Sequence, residues 1–176
     1  HRMIVVVLTS IGVASALWSR ERVRRIAAVQ LRHMELVWIA LALQLVLFEY
    51  LARRIPGSLT EVLHYTTYAL CGAFLVVNRR LPGTLIIAAG ATSNFVAIAL
   101  NGGSMPADPG AWARAGLPPV PEGTFENSAA NGGARLAFLG DVFAIPEAWP
   151  LSNVFSVGDV LIVIGGTWFA HRWCAQ

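Results

Sequence analysis

Few residues of this chain combine a reactive side chain with an apolar setting. Glu49 ends the second apolar stretch, His64 opens the third, Asn94 lies mid-way along the fourth and Asp159 sits in the first turn of the fifth. Asp141 lies in the long connection before that last stretch. A carboxylate beside an imidazole can pass a proton, and carboxylates beside amides can hold a cation or a polar headgroup. Glu49 and His64 are expected at similar depth and able to pair. With Asn94, Asp141 and Asp159 they would form a polar site beneath the long connection, for an ion, a headgroup or a proton. Plainer roles compete. Ser156-Val157-Gly158-Asp159 has the spacing of a capping box, in which Ser156 caps a helix and Asp159 reaches back. A carboxylate there also meets the positive end of the helix dipole, worth about 0.3–1 kcal/mol. Asn94 and Gln44 can simply hydrogen-bond between helices.

The stretches that would position these residues are long and apolar. Of 176 residues, 56% are hydrophobic and 13% charged, against about 45–50% and about 25% in soluble domains. The composition predicts an all-α membrane protein of about five transmembrane helices, near 3–18, 36–51, 62–77, 84–100 and 157–173. It would form a single membrane domain over 1–176. The first stretch reads as a retained helix rather than a signal peptide. There is no Lys. Eight Arg fall in the first connection, the third connection and the tail: Arg20, Arg22, Arg24, Arg25, Arg32, Arg79, Arg80 and Arg172. Five fall on the other side: Arg2, Arg53, Arg54, Arg114 and Arg135. The positive-inside rule then predicts a multi-pass protein of the bacterial cytoplasmic membrane. Its N-terminus and long loop would lie outside and its C-terminus inside. Trp18, Trp38, Trp168 and Trp173 fall where the inner headgroups would be. The basic stretch Ser19–Glu35, with Val23, Ile26, Ala27, Val29 and Leu31 between its charges, reads as a short helix on that inner surface. The charges mark topology and not nucleic acid.

The loop from Asn101 to Phe155 holds seven of the nine prolines and eight of the sixteen glycines. That composition excludes a long helix. Its aromatics, Trp112, Phe125, Phe138, Phe143, Trp149 and Phe155, predict a partly ordered extracytoplasmic loop packed on the bundle mouth. Asn101-Gly102-Gly103 and Asn131-Gly132-Gly133 predict tight turns, with an anion-binding nest as the alternative. The segment Arg135 to Ile145 is expected to form a short surface helix, stopped by Pro146 and Pro150.

No Walker loop, GxSxG, HExxH or CxxC pattern occurs, and Cys71 and Cys174 have neither disulfide nor metal spacing. No cofactor is required. Haem or pigment ligation by His33, His64 or His171 stays open, with His33 and His171 the one pair expected at a common depth.

Three strings, Asn101-Gly102-Gly103-Ser104-Met105-Pro106, Leu139-Gly140-Asp141 and Asn153 to Ile162, resemble an uncharacterised bacterial family of small polytopic integral membrane proteins. That family is catalogued as a domain of unknown function. The resemblance covers nearly the whole chain and implies a fold class and a bacterial membrane, but no activity. It adds Asn101, Met105 and Asn153 to Glu49, His64, Asn94, Asp141 and Asp159 as a candidate ligand-binding surface. Three functions fit. The first is a non-enzymatic accessory or structural subunit of a larger bacterial membrane complex, with lipids and other membrane subunits as partners. The second is a transporter or sensor that binds a small molecule, ion or lipid under the loop. The third is a membrane enzyme on a lipid substrate.

Overall fold

The computed structural model describes residues 3–51, 54–118, 128–130 and 133–175. Five longer helices follow the apolar stretches closely: α1 (Met3–Ala16), α3 (Met34–Val46), α4 (Gly57–Val77), α5 (Thr84–Leu100) and α7 (Val157–Cys174). A π-helical turn, Leu47–Leu51, extends α3. The short helix α2 (Arg20–Ala27) is capped by Ser19, whose Oγ accepts from Arg22 N at 3.3 Å. It docks on the end of α7, where Trp173 Nε1 donates to Arg25 O at 3.0 Å. Side by side the helices run α3, α4, α5, α7, α1.

The helices sit where the hydropathy predicts, but their character does not. Among the described residues no helix is long and apolar enough to cross a membrane. Spanning about 30 Å of hydrocarbon takes about 20 apolar residues at 1.5 Å each. Helices α1, α3 and α5 have 14, 13 and 17 residues. Helix α4 has 21 but carries Glu61, His64 and a run of hydroxyl groups, and α7 has 18 that include Asp159, His171 and Arg172. The expected membrane protein with five transmembrane helices, its multi-pass placement in the cytoplasmic membrane and the extracytoplasmic side of the loop are therefore corrected. The short helix expected between Ser19 and Glu35 is present as α2.

Within the bundle, α5 and α7 approach backbone to backbone. A Cβ on Gly90 would lie 2.4 Å from Gly158 O, and one on Gly158 would lie 2.6 Å from Gly90 O. Two turns away, Gly83 caps the start of α5 at φ 77°, and a Cβ there would meet Gly165 O at 2.1 Å. Only glycine leaves room at these crossings. Away from them the helix ends are sealed by small clusters. Ala16, Ala170 and Cys174 form one, with Val13, Leu17 and Ile26 packed around them.

The long connection folds over the opposite end of the bundle. Gly102 and Gly103 turn the chain at φ 69° and 83°, as Asn-Gly-Gly predicts. Asn131 and Gly132, which begin the second such string, and Phe125 lie outside the described residues. Strand β1 (Met105–Ala107) pairs in parallel with β2 (Ser128–Ala130), and β3 (Phe143–Ile145) runs antiparallel to β4 (Asn153–Phe155). Between β1 and β2 stands α6 (Pro109–Arg114), capped by Asp108 Oδ1 on Ala111 N at 2.7 Å. The helix expected over Arg135 to Ile145 is instead a 3-10 turn, Ala137–Leu139, followed by β3. The backbone of Asp141 explains the break: its N–H donates to Pro106 O at 2.8 Å and its carbonyl accepts from Asp108 N at 3.0 Å. Those groups cannot also serve a helix. Ala107, Ala111, Trp112, Ala115 and Val154 give this lobe its own small core.

Gly158→Ala is expected to destabilise the fold by about 1–3 kcal/mol through overpacking, measured as a lowered denaturant midpoint. Gly57→Ala, where an added Cβ meets nothing within 4 Å, serves as the control. Equal midpoints for the two variants would refute the close α5–α7 approach.

Candidate functional site

Polar side chains gather where the loop meets α4, α5 and α7. At the α5–α7 crossing the capping box of the sequence is present in full. Ser156 Oγ accepts from Asp159 N at 3.0 Å, and Asp159 Oδ2 accepts from Ser156 N at 3.0 Å. Asn94 locks this cap to α5: its Nδ2 donates to Asp159 Oδ1 at 2.8 Å, and its Oδ1 accepts from Ser156 Oγ at 2.8 Å. Ser156 and Asn94 are buried, and Gly158 lets the amide reach the cap, since a Cβ there would stand 2.0 Å from Asn94 Oδ1. A fully satisfied buried network of this kind rigidifies what it joins.

His64 occupies a second seat. It is fully buried on α4, and its Nδ1–H donates to Gly103 O at 3.0 Å. Its ring leans on Tyr68 with centroids 5.4 Å apart. The imidazole thus holds down the turn that opens the loop. Asn101 staples the same loop further on. Its Nδ2 donates to Arg135 O and its Oδ1 accepts from Arg135 N, both at 2.9 Å. Met105 is buried against Ala97 and Ile98. Asn153 Oδ1 accepts from Val154 N at 2.9 Å within β4.

Asn94 and Asp159 are therefore in direct contact, within the helix cap. His64, Asn101 and Asp141 each hold a different part of the loop. The side chain of Glu49, the expected partner of His64, lies outside the described residues. Gln44 Nε2 donates to Thr67 Oγ1 at 3.4 Å between α3 and α4, the plain interhelical role expected of it. The histidines considered for haem or pigment have separate surroundings. His33 Nδ1–H donates to Glu35 at 2.7 Å, which holds that exposed carboxyl below its ordinary range. His171 Nε2 stands 3.0 Å from Ser15 Oγ on α1.

Sequence reasoning passed over two features. Tyr65 donates a very short hydrogen bond to Glu61 one turn earlier on α4. Burial, and then that carboxylate, push the Tyr65 hydroxyl up to about 12. The i, i+4 spacing was the available signal. The other is Asn78, buried after α4, whose side chain grips the backbone of Arg32: Oδ1 accepts from Arg32 N at 3.0 Å and Nδ2 donates to Arg32 O at 2.9 Å. Nothing local in the sequence signals a contact across 46 positions.

A family model of unknown function, DUF5317, matches residues 28–171. The chain belongs to that family. Its match takes in α3 to α6, the whole loop lobe and α7 as far as His171, so every residue of the polar joint is within it. An uncharacterised protein of Thermotoga maritima is 29% identical over 105 residues, which is 60% of each chain. The matched region thus spans about 60% of the length of that relative. No solved structure matches.

Two measurements test this geometry. Ser156→Ala is expected to cost about 2–4 kcal/mol, since a lost cap and an unsatisfied buried acceptor act together. In a double-mutant cycle with Asn94→Ala, denaturant melts should show a coupling of about 0.5–3 kcal/mol; additive losses would mean that the two side chains do not interact. Tyr65 should ionise at about 12 rather than its ordinary 10.0. Because the folded value is the raised one, its contribution to stability is complete below the ordinary value and disappears as pH rises through about 12. The phenolate absorbance difference between wild type and Tyr65→Phe reads this directly, and a midpoint at the ordinary value would contradict the Glu61 contact.

Proposed function

We propose that this chain is a non-enzymatic accessory subunit that packs its apolar helix faces against partner chains in a larger assembly. The observation that carries the reading is α3. From Leu36 to Leu47 it has no charged residue. Its inner side reaches α4 through buried Ala40, while Trp38, Ile39, Leu41, Leu45 and Val46 stand exposed. Trp38, Leu41 and Leu45 follow the i, i+3, i+7 spacing of one face, with Ile39 and Val46 beside it. A helix apolar on every side belongs in a core, and contiguous apolar surface of this kind marks an interaction site. Tryptophan is also among the residues most enriched in interface hot spots.

The polar residues support the same reading. Asn94, Ser156 and Asp159 bond to one another, and Asn101 bonds to the loop backbone. These groups hold the loop in place rather than converge on an open cleft.

Affinity purification of the tagged chain from its native cells, with mass spectrometry of what accompanies it, should return a partner in fixed ratio. Trp38→Ala should weaken that association by about 2 kcal/mol, a hot-spot loss near thirtyfold, while circular dichroism stays unchanged. A chain recovered alone at monomer mass would overturn the proposal.

A further inference from the structure

Helices α4 and α5 touch at the loop end through Tyr65, Tyr68 and Phe95, and an open-sided groove of about 420 Å³ runs between them. This volume lies in the range of about 300–1,000 Å³ common to small-molecule sites. The closed end is aromatic: Tyr65 and Tyr68 both pack on Phe95, with centroids 5.8 and 5.6 Å apart. The walls, including Leu75, Ala88 and Cys71, are overwhelmingly apolar. From Phe95 to Leu85 the groove follows ten residues of α5, roughly 15 Å at the helical rise.

The open end has the opposite character. Arg79 and Val76 line both this groove and an adjoining polar recess of about 370 Å³, whose other lining residues include Arg32, His33 and Arg80. Three arginines therefore line one recess at the foot of an apolar channel. None of the three has an ion-pair partner among the described residues. Asn78 fixes the backbone of Arg32 against the end of α4. Clustered guanidiniums suit the tetrahedral oxygens of a phosphate, which they can bind with paired hydrogen bonds.

We infer that the α4–α5 groove binds a single-chain amphiphile, its aliphatic tail along Ala88 and Leu75 and its phosphate head in the recess of Arg32, Arg79 and Arg80. The complementarity of an apolar channel to a tail and of a basic mouth to an anion selects this occupant over an apolar helix, which would have no use for the arginines. The inference is independent of the accessory-subunit reading, which rests on the outer face of α3.

Cys71 lines the groove wall and Cys174 is buried elsewhere, so alkylation of Cys71 reports occupancy. Dodecyl phosphate below its micelle concentration is expected to slow that alkylation at concentrations at least tenfold lower than dodecyl maltoside or dodecyltrimethylammonium. Inorganic phosphate alone should give no protection. Arg79→Gln, at an exposed position, should remove the tenfold preference while tail-driven protection persists, and Ala88→Trp should abolish protection by filling the channel. Circular dichroism of both variants confirms their fold. Equal protection by all three headgroups, as a groove kept for an apolar helix would give, overturns the inference. So does protection by inorganic phosphate alone, or no protection by dodecyl phosphate.

Discussion

The closeness of α5 to α7 is the constraint on which the other contacts depend. Gly90 and Gly158, with Gly83 and Gly165, bring the two backbones within the reach that a Cβ would otherwise fill. Only at that separation can the amide of Asn94 touch the cap of a neighbouring helix. The cap fixes where α7 begins, and the position of α7 in turn seats α1 and α2, whose Val13, Ala16 and Ile26 close on Ala170 and Cys174. A larger residue at the crossing would push apart both the helices and the hydrogen-bonded joint between them.

Above this spine the long connection is held by polar contacts more than by its own core. His64 holds its opening turn, Asn101 holds Arg135, and the backbone of Asp141 bridges β1 and the start of α6. Trp112 and its neighbours add one modest apolar cluster. Buried polar groups with partners contribute only about a kilocalorie per mole each, but cost more when one partner is lost. The lobe is thus specified by residues that a composition-based reading takes for a reactive set.

The remaining apolar surface has two distinct forms. On α3 it is convex and carries no charge, which suits another chain. Between α4 and α5 it is concave and ends in arginines, which suits a small amphiphile. Helix α5 packs far more closely on α7 than on α4, which leaves room for the groove between α4 and α5.

Nearly every helix is legible in the order of the amino acids, because apolar runs bounded by Gly, Pro and Arg limit where a helix can start and stop. So are the Ser156–Asp159 cap and the Asn101-Gly102-Gly103 turn, since both are local patterns with local hydrogen bonds. Composition suggested a bilayer for those helices. Hydropathy averaged over long windows overlooks helix lengths of 13 to 17 residues and the polar residues within the two longer helices. That Asn94 joins the cap, that His64 serves Gly103 and that Arg32 meets the end of α4 is visible only once the helices are packed. Each of those contacts spans 39 to 65 positions of chain. Such pairings depend on how helices cross, and the crossing is set by which side chains leave room for it.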